Sequence, residues 1–245
     1  MRFAVISDIH GNVRALEAVL ARIRALGDVE RVAVAGDLLS GPLEPSETAD
    51  VLMSLRVPTI RGNHERQLLA CADAPGGASD QYAFEHTTAA QQAWLATLPA
   101  TIELTPDVLV CHGTPETDLV YLCEDVDSGL LKLSPDGVIT QRLGGARQPL
   151  VVSGHSHHPR TVRLSSGQLV VNAGSVGLQA YTAEHPRPHV VDNGSPHARF
   201  VVCERTPPGW QAELHLVSYD WDAASDTAAS HGRSDWATWL RSGRV

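Results

Sequence analysis

At 245 residues and a formal net charge of −9, the chain is long enough to enclose a core but carries no overall field that would draw it to a nucleic-acid backbone. Hydrophobic residues at 43% and charged ones at 19% give a globular balance and exclude an intrinsically disordered chain. No run approaches the roughly 18 apolar residues needed to cross a bilayer, so no membrane partner is expected.

Taken in chain order, Arg2–Ser7 reads as a buried strand, followed by the turn Asp8-Ile9-His10-Gly11. Asn12 is an N-cap residue for a helix whose apolar face carries Val13, Leu16, Val19, Leu20, Ile23 and Leu26 and which stops at Gly27. Arg31–Ala35 is a second strand ending at Gly36-Asp37, and Pro45 to Leu55 reads as a helix with Ser46 in its cap. Val57–Ile60 is a third strand, ending at Gly62-Asn63-His64. A mostly polar stretch to about Thr105 follows, read as a flexible loop over Ala74–Asp80 and a helix around Thr88–Leu98. Val108–Cys111 and Leu150–Ser153 are further strands, ending at His112 and at Gly154-His155-Ser156-His157. Two hairpins are expected late in the chain, Thr161–Leu164 with Gln168–Asn172 and Arg199–Arg205 with Gln211–Tyr219, before one or two short helices from Asp222. Strands alternating with helices early and pairing as hairpins late predict one α/β domain over 1–245 with mixed sheets and outer helices.

Cys71, Cys111, Cys123 and Cys203 are scattered with no CxxC pair, and the N-terminus lacks the long apolar core of a signal peptide. Both observations predict reduced thiols and a cytoplasmic location.

Five strands end in residues able to bind a metal: Asp8 and His10, Asp37, Asn63 and His64, His112, then His155 and His157. Any one of these is a common loop residue. The same placement at five strand ends is not a packing accident, because strand ends are where an α/β sheet assembles its sites. Imidazole and carboxylate donors without thiolate suit Mn, Fe, Zn, Ni or Co. These are too many donors for one tetrahedral ion, and seven of them would fit two divalent ions that share a carboxylate, about 3.5–4 Å apart. Such a pair would make a positive pocket in an acidic protein, attract phosphate, and lower the pKa of a bound water.

The ordered set Asp8-Ile9-His10, Gly36-Asp37, Gly62-Asn63-His64-Glu65, His112 and Gly154-His155-Ser156-His157 closely resembles the calcineurin-like metallophosphoesterases. The resemblance runs from Met1 to at least Tyr181, including Asn172-Ala173-Gly174-Ser175-Val176-Gly177, which is similar to a turn of small prokaryotic members. It implies a four-layer αββα sandwich of two mixed β-sheets flanked by helices. It also implies that Asp8, His10 and His157 hold one ion, that Asn63, His112 and His155 hold the other, and that Asp37 bridges them. His64 would be the catalytic proton donor at the leaving oxygen, with hydroxide bridging the metals as nucleophile. Mn²⁺ is the first expectation for the ions.

One departure narrows the reading. Protein Ser/Thr phosphatases and dinucleoside-tetraphosphate hydrolases of the superfamily carry Gly-Asp-x-x-Asp-Arg-Gly, whereas this chain has Gly36-Asp37-Leu38-Leu39-Ser40-Gly41-Pro42. Ser40 stands where the carboxylate that orients the catalytic His would be, and the phosphate-gripping Arg is absent. The expectation is therefore a phosphoesterase acting on a small phosphodiester in preference to a monoester, without stable nucleic-acid binding. The alternatives are a nuclease of the same superfamily and a metal-binding scaffold without turnover. Loops 70–87 and 181–197 are expected to shape the pocket as covers.

Overall fold

The strand Arg2–Ile6 (β1) sends Phe3 and Val5 into one apolar cluster and Ala4 and Ile6 into another, as the two-residue period of a strand requires. That division organises the molecule. The computed structural model describes all residues 1–245 and continues with α1 (Val13–Leu26), β2 (Arg31–Ala35), α2 (Pro45–Leu55), β3 (Thr59–Ile60), α3 (Asn63–Ala70), α4 (Ala78–Glu85) and α5 (Ala89–Ala96). The middle of the chain supplies β4 (Thr101–Thr105), β5 (Val108–Cys111), β6 (Glu124–Asp125), β7 (Lys132–Leu133), α6 (Asp136–Arg142), β8 (Leu150–Ser153), β9 (Arg160–Arg163) and β10 (Leu169–Asn172). The hairpins β11–β12 (Ala180–Ala183, His189–Asp192) and β13–β14 (Ala198–Thr206, Gly209–Val217) precede α7 (Trp221–Ser230) and α8 (Ser234–Ser242).

Two five-stranded mixed sheets result, in the orders β14-β13-β1-β2-β3 and β4-β5-β8-β10-β9. In the first, β1, β2 and β3 are parallel and β13 runs antiparallel to β1; in the second, β5, β8 and β10 are parallel between antiparallel edges. Phe3, Val5, Ala33 and Ile60 of one sheet meet Val110, Leu150, Val152 and Val171 of the other between the layers. Ile6, Val34 and Phe200 pack outward with α1, α2, α3 and α5, while Leu109, Val151 and Val170 pack outward with Ile139 of α6. This is the expected αββα order. Cys111 lies in that last cluster, fully buried on the face away from His112, and all four cysteines are free. No helix is long and apolar enough to cross a membrane.

Several local expectations change. Helix α2 is capped at Glu44 rather than by Ser46, whose hydroxyl instead bonds Gln91 of α5. Strand β3 is shorter than expected because Pro58 has no N–H to give to a ladder. Ala78–Asp80, at the end of the segment read as a flexible loop, open the helix α4, and residues 181–197 carry most of the β11–β12 hairpin.

Candidate functional site

Five of the six parallel strands, β1, β2, β3, β5 and β8, deliver candidate residues at their C-terminal ends, so Asp8, Asp37, Asn63, His112 and His155 converge from two sheets onto one side of the sandwich. Asp8, His10, Asp37, Asn63, His112 and His157 are buried, and His155 is partly so. Two groups of donor atoms form, Asp8–His10–Asp37–His157 and Asp37–His112–His155, each with its atoms within 4.8 Å of one another. Asp37 belongs to both. The Asn63 amide oxygen joins the second group, 3.2 Å from His112 Nε2, which is itself 3.0 Å from Asp37 Oδ2.

The imidazoles are preset as ligands. Nδ1 of His10, His112 and His157 lies 2.7, 2.8 and 2.8 Å from the carbonyl oxygens of Ser40, Ala35 and Leu178. A carbonyl only accepts, so each Nδ1 carries the proton; the neutral rings of His10 and His157 present the Nε2 lone pair to the cluster, and His112 would do so once a metal ion displaced the Nε2 proton it shares with Asp37. Two such lone pairs, on His10 and His157, face each other at 3.0 Å. Neither is a donor, so a cation between them satisfies the geometry. Burial moves the same way, lowering His10 to about 4, His155 to about 3 and His157 well below its ordinary value, which keeps these rings neutral. Burial also raises Asp8 to about 7, and Asp37 overrides burial to raise His112 to about 10. Protons thus compensate a concentration of carboxylate charge that divalent ions would compensate directly, and the donor set fits two such ions.

The backbone is bent to make this possible. Of six non-glycine residues with positive φ, five are in the cluster: Asp8 (55°), His10 (53°), Asp37 (54°), His155 (69°) and His157 (56°). Each costs roughly 1–2 kcal/mol, so the surroundings must hold it. Glu65 is one such support. Its buried carboxylate accepts the backbone N–H groups of Asp37 (2.9 Å), Leu38 (2.7 Å) and Gly62 (2.8 Å), tying the ends of β2 and β3 together. The Asp37 carboxylate in turn accepts from His64 N (3.0 Å), and that of Asp8 from His155 N (3.1 Å). Glycine at 62 is obligatory, since a Cβ there would strike the Asp37 carboxylate.

His64 follows Asn63 into α3 and lines the cleft, with its ring centroid 5.4 Å from that of His10. Its Nδ1 donates to Asp80 Oδ1 at 2.7 Å, and the Ser40 hydroxyl donates to the same oxygen. Burial would lower His64, but Asp37 and Asp80 raise it to about 9. The orienting carboxylate missing at position 40 is therefore supplied by α4, with Ser40 holding it. Sequence reasoning left Asp80 in a flexible loop because Pro75-Gly76-Gly77 precedes it.

The cluster opens into a cleft of about 900 Å³. Leu119, Tyr121, Tyr181 and residues 182–186 form one wall, so the 181–197 segment does shape the pocket, through a hairpin. From the 70–87 segment Ser79 reaches the cleft, whereas Tyr82, Phe84 and His86 do not line it. Tyr121 and Tyr181 brace the cluster, their hydroxyls 2.8 Å apart and their rings 4.8 and 4.6 Å from those of His155 and His157. Arg233, Asp235, Trp236 and Trp239 of the tail, which the sequence left without a role, line the cleft beside the β11 hairpin. Asn12 is a helix cap, accepting Ala15 N–H at 3.1 Å.

Among known proteins, residues 1–191 match the family model of the calcineurin-like phosphoesterase superfamily domain. An uncharacterized protein of Methanocaldococcus jannaschii is 24% identical over 249 aligned positions, covering 95% of this chain and 94% of its own. The crystal structure of a metallophosphoesterase from Sphaerobacter thermophilus superposes with a TM-score of 0.76 at 22% identity, covering 99% of this chain and 99% of that one. A candidate diadenosine tetraphosphatase superposes with a TM-score of 0.53 at 18% identity, covering 89% of this chain and 94% of that one. At these identities the two structures share the fold.

Proposed function

The chain belongs to the calcineurin-like phosphoesterase superfamily, and from that premise we propose that it hydrolyses a small phosphodiester with the help of two divalent metal ions, Mn²⁺ foremost. The observation that carries the reading is the pair of donor groups sharing Asp37, with imidazoles oriented by backbone carbonyls in both. Asp8, His10 and His157 would hold one ion and Asn63, His112 and His155 the other, with Asp37 belonging to both donor groups. Bound there, the ions supply a water of lowered pKa and positive charge against the phosphoryl oxygens.

The protein's own groups do the rest. His64, held by Asp80 through its Nδ1, donates the proton that the leaving oxygen needs. Gly62 and Gly154 let the carboxylates of Asp37 and Asp8 approach the backbone, so neither swings into the space that the phosphate fills. Arg233, the cationic side chain of the tail wall, is paired with Asp235 at 2.7 Å, which leaves no free guanidinium to grip a dianionic monoester. A monoanionic diester suits this cleft better.

The test is hydrolysis of a dialkyl phosphodiester, whose alkoxide leaving group needs a proton, with added Mn²⁺, beside the His64→Ala protein. Turnover that falls roughly 10²–10⁴-fold in the variant, with metal retained, supports the reading. Two bound metals with no turnover of any phosphate ester would instead make the chain a scaffold, and faster cleavage of oligonucleotides than of small diesters would make it a nuclease.

A further inference from the structure

We propose that the α8 wall of the cleft is a stacking platform, and that the substrate is a phosphate ester carrying a planar aromatic ring of nucleobase size, received on Trp239. The inference rests on the phosphoesterase reading and adds the identity of the ester group.

Three ring positions step outward from the metal cluster. His10 lies 6.0 Å from Trp236, and Trp236 lies 6.5 Å from Trp239, centroid to centroid. Trp236 is 4% exposed and packed with Leu43, Leu178 and Leu240, so it is wall rather than platform. Trp239 is partly exposed and lines the same cleft as the donor groups. An ester group on a phosphate at the metals therefore reaches it within two ring spacings. A cleft of about 900 Å³ is far larger than a phosphate, so most of it must receive the rest of the substrate.

The wall offers aromatic surface rather than charge. Arg233 places its Nε and Nη2 on the Asp235 carboxylate at 3.0 and 2.7 Å, its Nη1 on Ser79 at 3.0 Å, and its plane 5.6 Å from Trp236. Glu184 is the acidic side chain of the same cleft contributed by the β11–β12 turn. A second phosphate would meet no free cation here, whereas a ring meets an indole face.

The platform is also prebuilt. Helix α8 is pinned to α7 by Ser225 Oγ donating to Ala237 O at 2.7 Å and by Arg241 bonding Asp222 and Asp226. The turn before it is tied to α4 through the Arg233–Ser79 bond and through the Tyr82 hydroxyl, 3.1 Å from His231 Nδ1. Little ordering is left to be done on binding.

The experiment is calorimetric titration of the Mn²⁺-loaded protein with adenosine 5′-monophosphate and, separately, with ribose 5-phosphate. The two share the phosphate and sugar and differ in the ring. The proposal expects the adenine compound to bind roughly tenfold tighter, Trp239→Ala to remove that difference, and Trp239→Phe to restore most of it. Equal binding of the two compounds, or an advantage that survives Trp239→Ala, would overturn the platform while leaving the phosphoesterase reading intact. No binding of either would overturn the platform as well, while the phosphoesterase reading stands or falls separately on diester hydrolysis.

Discussion

His64 Nδ1 and Asp80 Oδ1 are 2.7 Å apart although they come from different helices, and the Ser40 hydroxyl completes the triangle by donating to the same carboxylate oxygen. Asp80 fixes the His64 ring and helps keep it protonated. Asp80→Asn should lower kcat on a dialkyl phosphodiester roughly 10–100-fold with metal content unchanged. Because a proton donor works only below its pKa, the variant should also lose activity at lower pH than the parent. A pH profile with an unmoved alkaline limb would show that Asp80 does not act through His64.

Asp37 is the one carboxylate common to both donor groups. Asp37→Asn removes a negative charge from between two cations and should bring the bound metal below two per chain, read by elemental analysis. Two ions retained at parental affinity would contradict its bridging place.

Glu65 accepts three backbone N–H groups from inside the core. Glu65→Ala leaves those donors buried without partners and releases the turns that carry Asp37 and Asn63. The expected loss is on the order of 3 kcal/mol, a fall in Tm of roughly 6–12 °C. Since the turns position ligands, metal affinity should fall with it. A variant as stable as the parent would show that the backbone turns hold themselves.

Glu124 is 2% exposed, and one of its carboxylate oxygens has no partner. Burial raises its pKa from 4.5 to about 7, with Arg160 and Arg142 offsetting only part of the effect. Below pH 4.5 the carboxyl is protonated in both states. Between 4.5 and 7 the unfolded chain alone releases the proton, so stability falls as pH rises, by on the order of 3 kcal/mol across that window. Glu124→Gln should therefore gain stability relative to the parent from pH 5 to pH 7 in urea titrations. Parallel curves for the two proteins would remove Glu124 as the cause.

How much of this was legible depended on whether the local sequence carried its own reason. Helix α1 was, because Asn12, the apolar face from Val13 to Leu26 and the αL residue Gly27 (φ 75°) all point the same way. The strands ending at Asp8, Asp37, His112 and His155 were, because parallel strands buried on both faces read as apolar runs. Helix α4 was not. It is eight residues long, follows Pro75-Gly76-Gly77, and is held by tertiary contacts of Asp80 and Ala83 rather than by periodicity. The same cause hid Asp80 as the partner of His64. The Trp239 wall escaped because nothing in the spacing of Trp236 and Trp239 distinguishes a core face from a cleft face. Only the placement of α8 against the β11 hairpin, beside the donor groups, does so.

The most direct test of the central claim is anomalous diffraction at the manganese edge from crystals of the Mn²⁺-loaded protein. The account predicts two peaks about 3.5–4 Å apart, one on each side of the Asp37 carboxylate, with Nε2 of His10 and His157 on one and of His112 on the other. A single peak, or density lying away from Asp37, would contradict it.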